Sequence, residues 1–162
     1  MNRVEVKEYL RRYKRACSDY ERVKYNLYAV NNDLYGLQVT KYDKISVQGG
    51  NGVKERLEGL IDKSEKLGKQ LNELGDKKDA IREEIEQFIR VLNNPEWENV
   101  LFDFYIKDLT YTEIEKQRGY AWGVPKNITA LACVRLAQLW TCKKYINEFK
   151  EQMEIILNTT IK

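Results

Sequence analysis

Between Val53 and Leu92, apolar side chains return in alternating steps of four and three. The series is Val53, Leu57, Leu60, Ser64, Leu67, Leu71, Leu74, Lys78, Ile81, Ile85, Phe88 and Leu92, and ten of its twelve positions are apolar. Such spacing keeps one stripe on one side of an α-helix. The remaining surface is dense in Lys, Glu and Asp. The pattern predicts one long helix, an arm of an antiparallel hairpin or a strand of a coiled coil. At roughly 1.5 Å per residue it would reach ~60 Å. Gly59, Gly68 and Gly75 each weaken an isolated helix by roughly 1 kcal/mol relative to Ala, so tertiary support is required.

A second stripe precedes it. Val6, Leu10, Tyr13, Cys17, Tyr20, Leu27 and Leu34 keep the same spacing, with Lys24 and Asn31 in the series and Val23 and Val30 beside them. A first helix is expected from about Val4 to Leu34. Tyr9, Tyr13, Tyr20, Tyr25, Tyr28 and Tyr35 crowd this segment. Tyrosines in stacks can meet bases, but at helical spacing packing with a wet hydroxyl is the simpler reading. Residues 36–52 break the pattern. Gly36 and Gly49-Gly50-Asn51-Gly52 are turn chemistry around a brief β-like run, Ile45-Ser46-Val47, and predict an irregular, mobile connector. The glycines lack the Lys-Ser/Thr that follows in a nucleotide-binding loop.

Beyond residue 93 the elements shorten. Asn94-Pro95-Glu96-Trp97 has the form of a helix start, with Asn94 as N-cap and Pro95 at the first helical position. The helix from Pro95 to Lys107 would bury Trp97, Leu101, Phe104 and Tyr105. Thr110-Tyr111-Thr112-Glu113 is a capping box opening a short helix, Tyr111 to Arg118, which Gly119 can end in a left-handed conformation. A last helix begins near Pro125 and runs to about Leu157. Ala132, Arg135, Leu139, Cys142, Ile146, Phe149, Met153 and Ile156 form its heptad series. The fold class expected is all-α: a long-helix hairpin or oligomerisation region over 1–93, a helix-turn-helix domain over 94–140 and a helical extension over 141–162.

Composition narrows the chemistry. Apolar residues make up 43% of the 162, enough for a core, and with only 2 Pro helices are seldom interrupted. There is no His, and the 3 Cys (Cys17, Cys133, Cys142) show no C-x-x-C spacing, so neither a metal site nor a His-dependent hydrolytic triad is expected. No cofactor motif is present, and the chain is not expected to be an enzyme. No apolar run is long enough for a transmembrane helix, so no membrane role is expected. The unpaired cysteines suit a reducing cytosol. The net charge of +3 is small, but no acidic residue lies between Glu115 and Glu148, while Lys116, Arg118, Lys126, Arg135, Lys143 and Lys144 do. A local basic footprint can attract phosphates, and it can equally be a solvated face.

Two short helices, a Gly-containing turn and a third helix are the ingredients of a helix-turn-helix. The run from Val100 to Tyr120 (VLFDFYIKDLTYTEIEKQRGY) resembles the promoter-reading domain of bacterial sigma factors. It is more closely similar to the small phage and prophage transcriptional activators of the RinA/ArpU type, in which a sigma-like helix-turn-helix follows a helical N-terminal region. Tyr42-Asp43-Lys44-Ile45-Ser46-Val47-Gln48-Gly49-Gly50, followed by a long charged helix, is similar to the middle of such proteins. The resemblance spans residues 5–140 and is sharpest over Thr110–Ile114.

The resemblance implies that the third helix reads double-stranded DNA. Ile128, Leu131 and Leu136 would fix it to the domain, with Leu139 as a further match. Lys126, Asn127 and Thr129 would be exposed near its start. Tyr111 and Thr112 would touch the DNA backbone. Lys116, Arg118, Lys143 and Lys144 would neutralise phosphates, and Arg135 would face a phosphate or pack in the domain. The chain departs from the family at Glu115, where a small residue is usual, and in the turn 120–125, which is about three residues longer than usual for such a motif. Its third helix is also apolar around its circumference, through Ala130, Ala132, Cys133, Val134 and Ala137. Three functions follow as expectations. The first is a DNA-binding phage-type regulator in the bacterial host cytoplasm, most simply a homodimer, with RNA polymerase or another protein as further partner. The second is a protein-binding adaptor with a degenerate helix-turn-helix, presenting Trp122 and the apolar third helix. The third is a small terminase-like DNA-packaging subunit.

Overall fold

The computed structural model describes the backbone of residues 1–43 and 50–160 and the side chains of residues 1–36 and 54–142. The protein is all-α. Among the described residues six helices follow in order: α1 (Arg3–Leu10), α2 (Arg12–Asp43), α3 (Gly50–Arg90), α4 (Pro95–Tyr105), α5 (Tyr111–Arg118) and α6 (Val124–Thr160). The described residues contain no strand. Among them, no helix is long and apolar enough to cross a membrane.

The N-terminal helix expected from the periodicity is present but bent at Arg11, which divides it into α1 and α2. Asn2 caps α1 by accepting from the amides of Val4 and Glu5, each at 2.9 Å, and the Glu5 carboxylate accepts from the Asn2 amide in return. Arg11 ends α1 with ψ at −10°, and α2 starts at the next residue. The expected connector 36–52 is also shorter than the glycines suggest. Helix α2 continues past Gly36 to Asp43, and α3 begins at Gly50. The β-like run Ile45-Ser46-Val47 lies outside the described residues.

The chain divides into two compact units, residues 15–81 and residues 1–14 with 82–162. In the first, α2 and α3 run antiparallel. Tyr20 stacks under the Lys78 ammonium, 4.6 Å from its ring centroid, and its ring edge comes close to Gly75. Further along α2 and further back along α3, the Ser64 hydroxyl donates to Asn31 Oδ1 at 2.8 Å. Asn31 of the α2 series and Ser64 and Lys78 of the α3 series therefore meet partners across the hairpin. Val23 and Val30 are buried, while Lys24 stays exposed and pairs with Glu21 at 3.5 Å. Leu57, Leu60, Leu67, Leu71 and Leu74 are only half-buried. Tyr25, Tyr28 and Tyr35 are exposed, so packing does not account for them.

In the second unit, α1 supplies Val6 and Leu10 to the core, the end of α3 supplies Ile85, Phe88 and Ile89, the turn after it supplies Leu92, and α6 supplies Ala132, Cys133 and Leu136. Tyr9, Phe88 and Trp140 form an aromatic cluster, with Phe88 edge-on to both neighbours at centroid distances of 5.1 and 5.5 Å. Asn94 caps α4 through the amides of Glu96 and Trp97, with Pro95 at the first helical position, and the helix ends at Tyr105, earlier than expected. Val100, Ile114 and Ile128 form a core joining α4, α5 and α6, enclosed by Trp97, Phe104, Leu109, Tyr111, Tyr120 and Val124.

The buried face of α6 differs from the heptad expectation. Pro125, Ile128, Thr129, Ala132, Cys133 and Leu136 point inward, whereas Arg135 and Cys142 are exposed. The side chains of Ile146, Phe149, Met153 and Ile156 lie outside the described residues.

Candidate nucleic-acid interface

Local chemistry builds the motif in three steps. Thr110 Oγ1 accepts from the Glu113 amide at 3.3 Å, and the Glu113 carboxylate accepts from the Thr110 amide at 2.7 Å, which closes the capping box and starts α5. The Thr110 hydroxyl also donates to that carboxylate at 2.7 Å. Gly119 then adopts φ +69°, and its amide donates back to the Glu115 carbonyl, which stops α5. The chain turns through Tyr120, Ala121 and Trp122 to Gly123, at φ +79°, and α6 begins. Left-handed backbone suits glycine at both places.

The departure at Glu115 has a structural explanation. The Gly123 amide donates to Glu115 Oε1 at 2.7 Å. A longer turn leaves an amide at the head of α6 that the turn itself does not satisfy, and a small residue at 115 could not reach it. The carboxylate bridges the turn and ties α5 to the start of α6. It also places negative charge at the positive end of α6, as Glu113 does at α5. Thr110 holds the Glu113 carboxyl below its ordinary value, through hydrogen bonds from its hydroxyl and from its amide. A carboxylate thus occupies each helix start, so the basic side chains are the remaining groups there that could meet an anion.

Those side chains are unequal. Asp103, 1% exposed, accepts from Lys107 Nζ at 2.8 Å and is also bonded by Arg118 Nε. Burial pushes the Asp103 carboxyl up, but the bonds from Arg118 and Lys107 outweigh it and hold the group below its ordinary value. Arg118 is thus engaged in joining α5 to α4 and is not a free phosphate ligand. Two further expectations are corrected. Thr129 is 1% exposed, and its hydroxyl donates to the Pro125 carbonyl at 2.8 Å, so it cannot read a base. Tyr111 is half-buried, with its ring stacked on Phe104 at 4.3 Å. Burial raises its hydroxyl pKa, offset in part by a hydrogen bond with Thr129. It joins α5 to α6 from inside the motif.

Thr112 and Lys116 on α5, and Lys126, Asn127 and Arg135 on α6, are exposed. The side chains of Lys143 and Lys144 lie outside the described residues. Leu131, expected as an anchor, is 57% exposed, and Val134 is 39% exposed. The sequence contained the signal against it. Leu131 and Leu136 are five residues apart, roughly 140° around a helix, so both cannot face one core. Trp122 in the turn is 93% exposed. Comparison with known proteins finds no matching family model, no matching curated protein and no matching solved structure.

Proposed function

We propose that the chain is a non-enzymatic, DNA-binding transcriptional regulator of the phage type, using α4–α6 as a sigma-like helix-turn-helix. The observation that supports it best is the combination of a capped α5, a glycine-marked turn and an α6 whose outward first turn presents Lys126 and Asn127, with no acidic residue from Val124 to Cys142. Lys116 and Arg135 extend the cationic surface over neighbouring turns. Such side chains release counterions from duplex DNA and orient a reader helix in the groove. The half-buried leucines of the α2–α3 hairpin support a second element of the proposal, a homodimer that covers that seam; a dimer presents two reader helices to paired half-sites. RNA polymerase or another protein is the further partner proposed.

Duplex binding measured at two salt concentrations tests this. Lys116→Ala and Lys126→Ala should leave the fold intact and each flatten the salt slope by about one unit. Absence of salt-sensitive duplex binding by the wild type at low ionic strength would defeat the proposal. The exposure of Trp122 favours a second reading, in which the turn and α6 dock a protein, and that reading would then replace it.

A further inference from the structure

We infer that the outward face of α6 reads A·T base pairs in the major groove, through amide contacts to adenine and apolar contacts to thymine methyl groups; this rests on the DNA-binding reading above. Asn127, Leu131, Val134 and Gln138 are all exposed. At roughly 100° per residue they fall within about 60° of arc, opposite the buried face. The stripe therefore runs amide, apolar, apolar, amide.

Each member has a complement in one kind of base pair. Adenine offers N7 as acceptor and N6 as donor in the major groove, which a carboxamide matches with its own donor and acceptor. Thymine carries the C5-methyl group, which an exposed Leu or Val can cover. A G·C pair asks for other residues. Guanine presents two acceptors, best met by Arg or Lys, and cytosine presents a donor, met by Glu or Asp. The described part of α6 has no acid, and its cations sit beside the stripe. Lys126 lies roughly 100° to one side of Asn127 and Arg135 about 80° to the other, where the phosphate strands bound the groove. From Asn127 to Val134 the helix rises ~10 Å, close to three base-pair steps of about 3.4 Å. Leu131 leaves 57% of its surface exposed on this face.

An A·T preference alone would not establish the mechanism, because narrow minor grooves also favour A·T. The methyl group settles it, because it lies only in the major groove. Fluorescence anisotropy of the full chain at low salt compares three duplexes of equal length: A·T-rich, G·C-rich, and the A·T-rich sequence with every thymine replaced by uracil. The wild type should bind the A·T-rich duplex about tenfold more tightly than the G·C-rich one. Uracil replacement should weaken binding several-fold. Leu131→Ala, at an exposed position, should bind the thymine and uracil duplexes alike, and Asn127→Ala should lose most of the A·T preference. Equal wild-type affinity for thymine and uracil duplexes, or a preference for G·C, overturns this inference while leaving duplex binding in place. Failure of the wild type to bind any duplex overturns both it and the DNA-binding reading, and points to a protein partner.

Discussion

The hairpin and the helix-turn-helix bury their apolar residues to different depths. In the hairpin, Leu57 through Leu74 are half-buried on α3, and burial is reached only by Val23 and Val30 on α2 and by Ile81 on α3, at the end of that unit. In the helix-turn-helix, Val100 and Ile114 are completely buried, and Ile128 nearly so. Two helices laid side by side cover only one flank of each other's stripe, whereas two short helices and the start of α6 meeting at one point enclose a core. The contrast separates a unit with an enclosed core from one whose apolar stripe stays half-exposed, the stripe that the proposed dimer would cover.

The largest effect should come from the enclosed core. Ile114→Ala removes buried methylenes at a site with no slack, at a cost of about 2–5 kcal/mol. Denaturant unfolding followed by near-ultraviolet signals should show it, and an unchanged midpoint would mean that α5 is not held by this core. The ion cluster comes next. Arg118→Ala leaves the buried Asp103 with Lys107 alone and should cost ~3 kcal/mol, near the low end for breaking a buried pair. Because the folded Asp103 carboxyl lies below its ordinary value of 3.8, the cluster stabilises above that value. The contribution is lost as pH falls through the lower folded value. Wild type and Arg118→Ala should therefore converge in stability in strong acid. A constant difference down to the acid limit would contradict the assignment.

The smallest effect on the folded monomer, and the sharpest test of the comparison, is at Leu71. Because Leu71 is half-buried, Leu71→Asp should cost the monomer only about 1–2 kcal/mol, below the range for a fully buried leucine. It should nevertheless abolish association. Sedimentation at micromolar concentration should give a dimer for the wild type and a 19.2 kDa species for the variant. A wild type that sediments as a compact monomer removes the seam from the argument, and the hairpin then stands complete by itself.

Much of the fold is legible in residue patterns. Asn94-Pro95, Thr110 with Glu113, and Gly119 mark helix ends because each satisfies or relieves a backbone group locally. From Leu57 to Phe88 the heptad series maps onto the least exposed face of α3. The candidate site is legible in part. Lys126 and Asn127 are exposed as their position suggests, but Thr129, Tyr111 and Arg118 are engaged inside the motif. Nothing local distinguishes Arg118 from Lys116. What distinguishes them is Asp103, fifteen residues away on another helix.

The sequence by itself determined an all-α chain, the helix ends at Asn94, Thr110 and Gly119 and the spacing of apolar positions, since these follow from contacts within a turn or two of helix, but not the division at Arg11 or the passage of α2 through Gly36. It also determined the acid-free character of the first half of α6. Only the tertiary structure decided which side of α6 faces inward, because a helix apolar around its circumference has no pattern to orient it, and the choice falls to Ile128 meeting Val100 and Ile114 and to the burial of Ala132, Cys133 and Leu136 where α6 packs in the same unit as α1. The use of Glu115 was likewise decided in space. A carboxylate can satisfy the Gly123 amide only once the turn has brought the head of α6 within 2.7 Å of it, and no spacing rule along the chain encodes that approach.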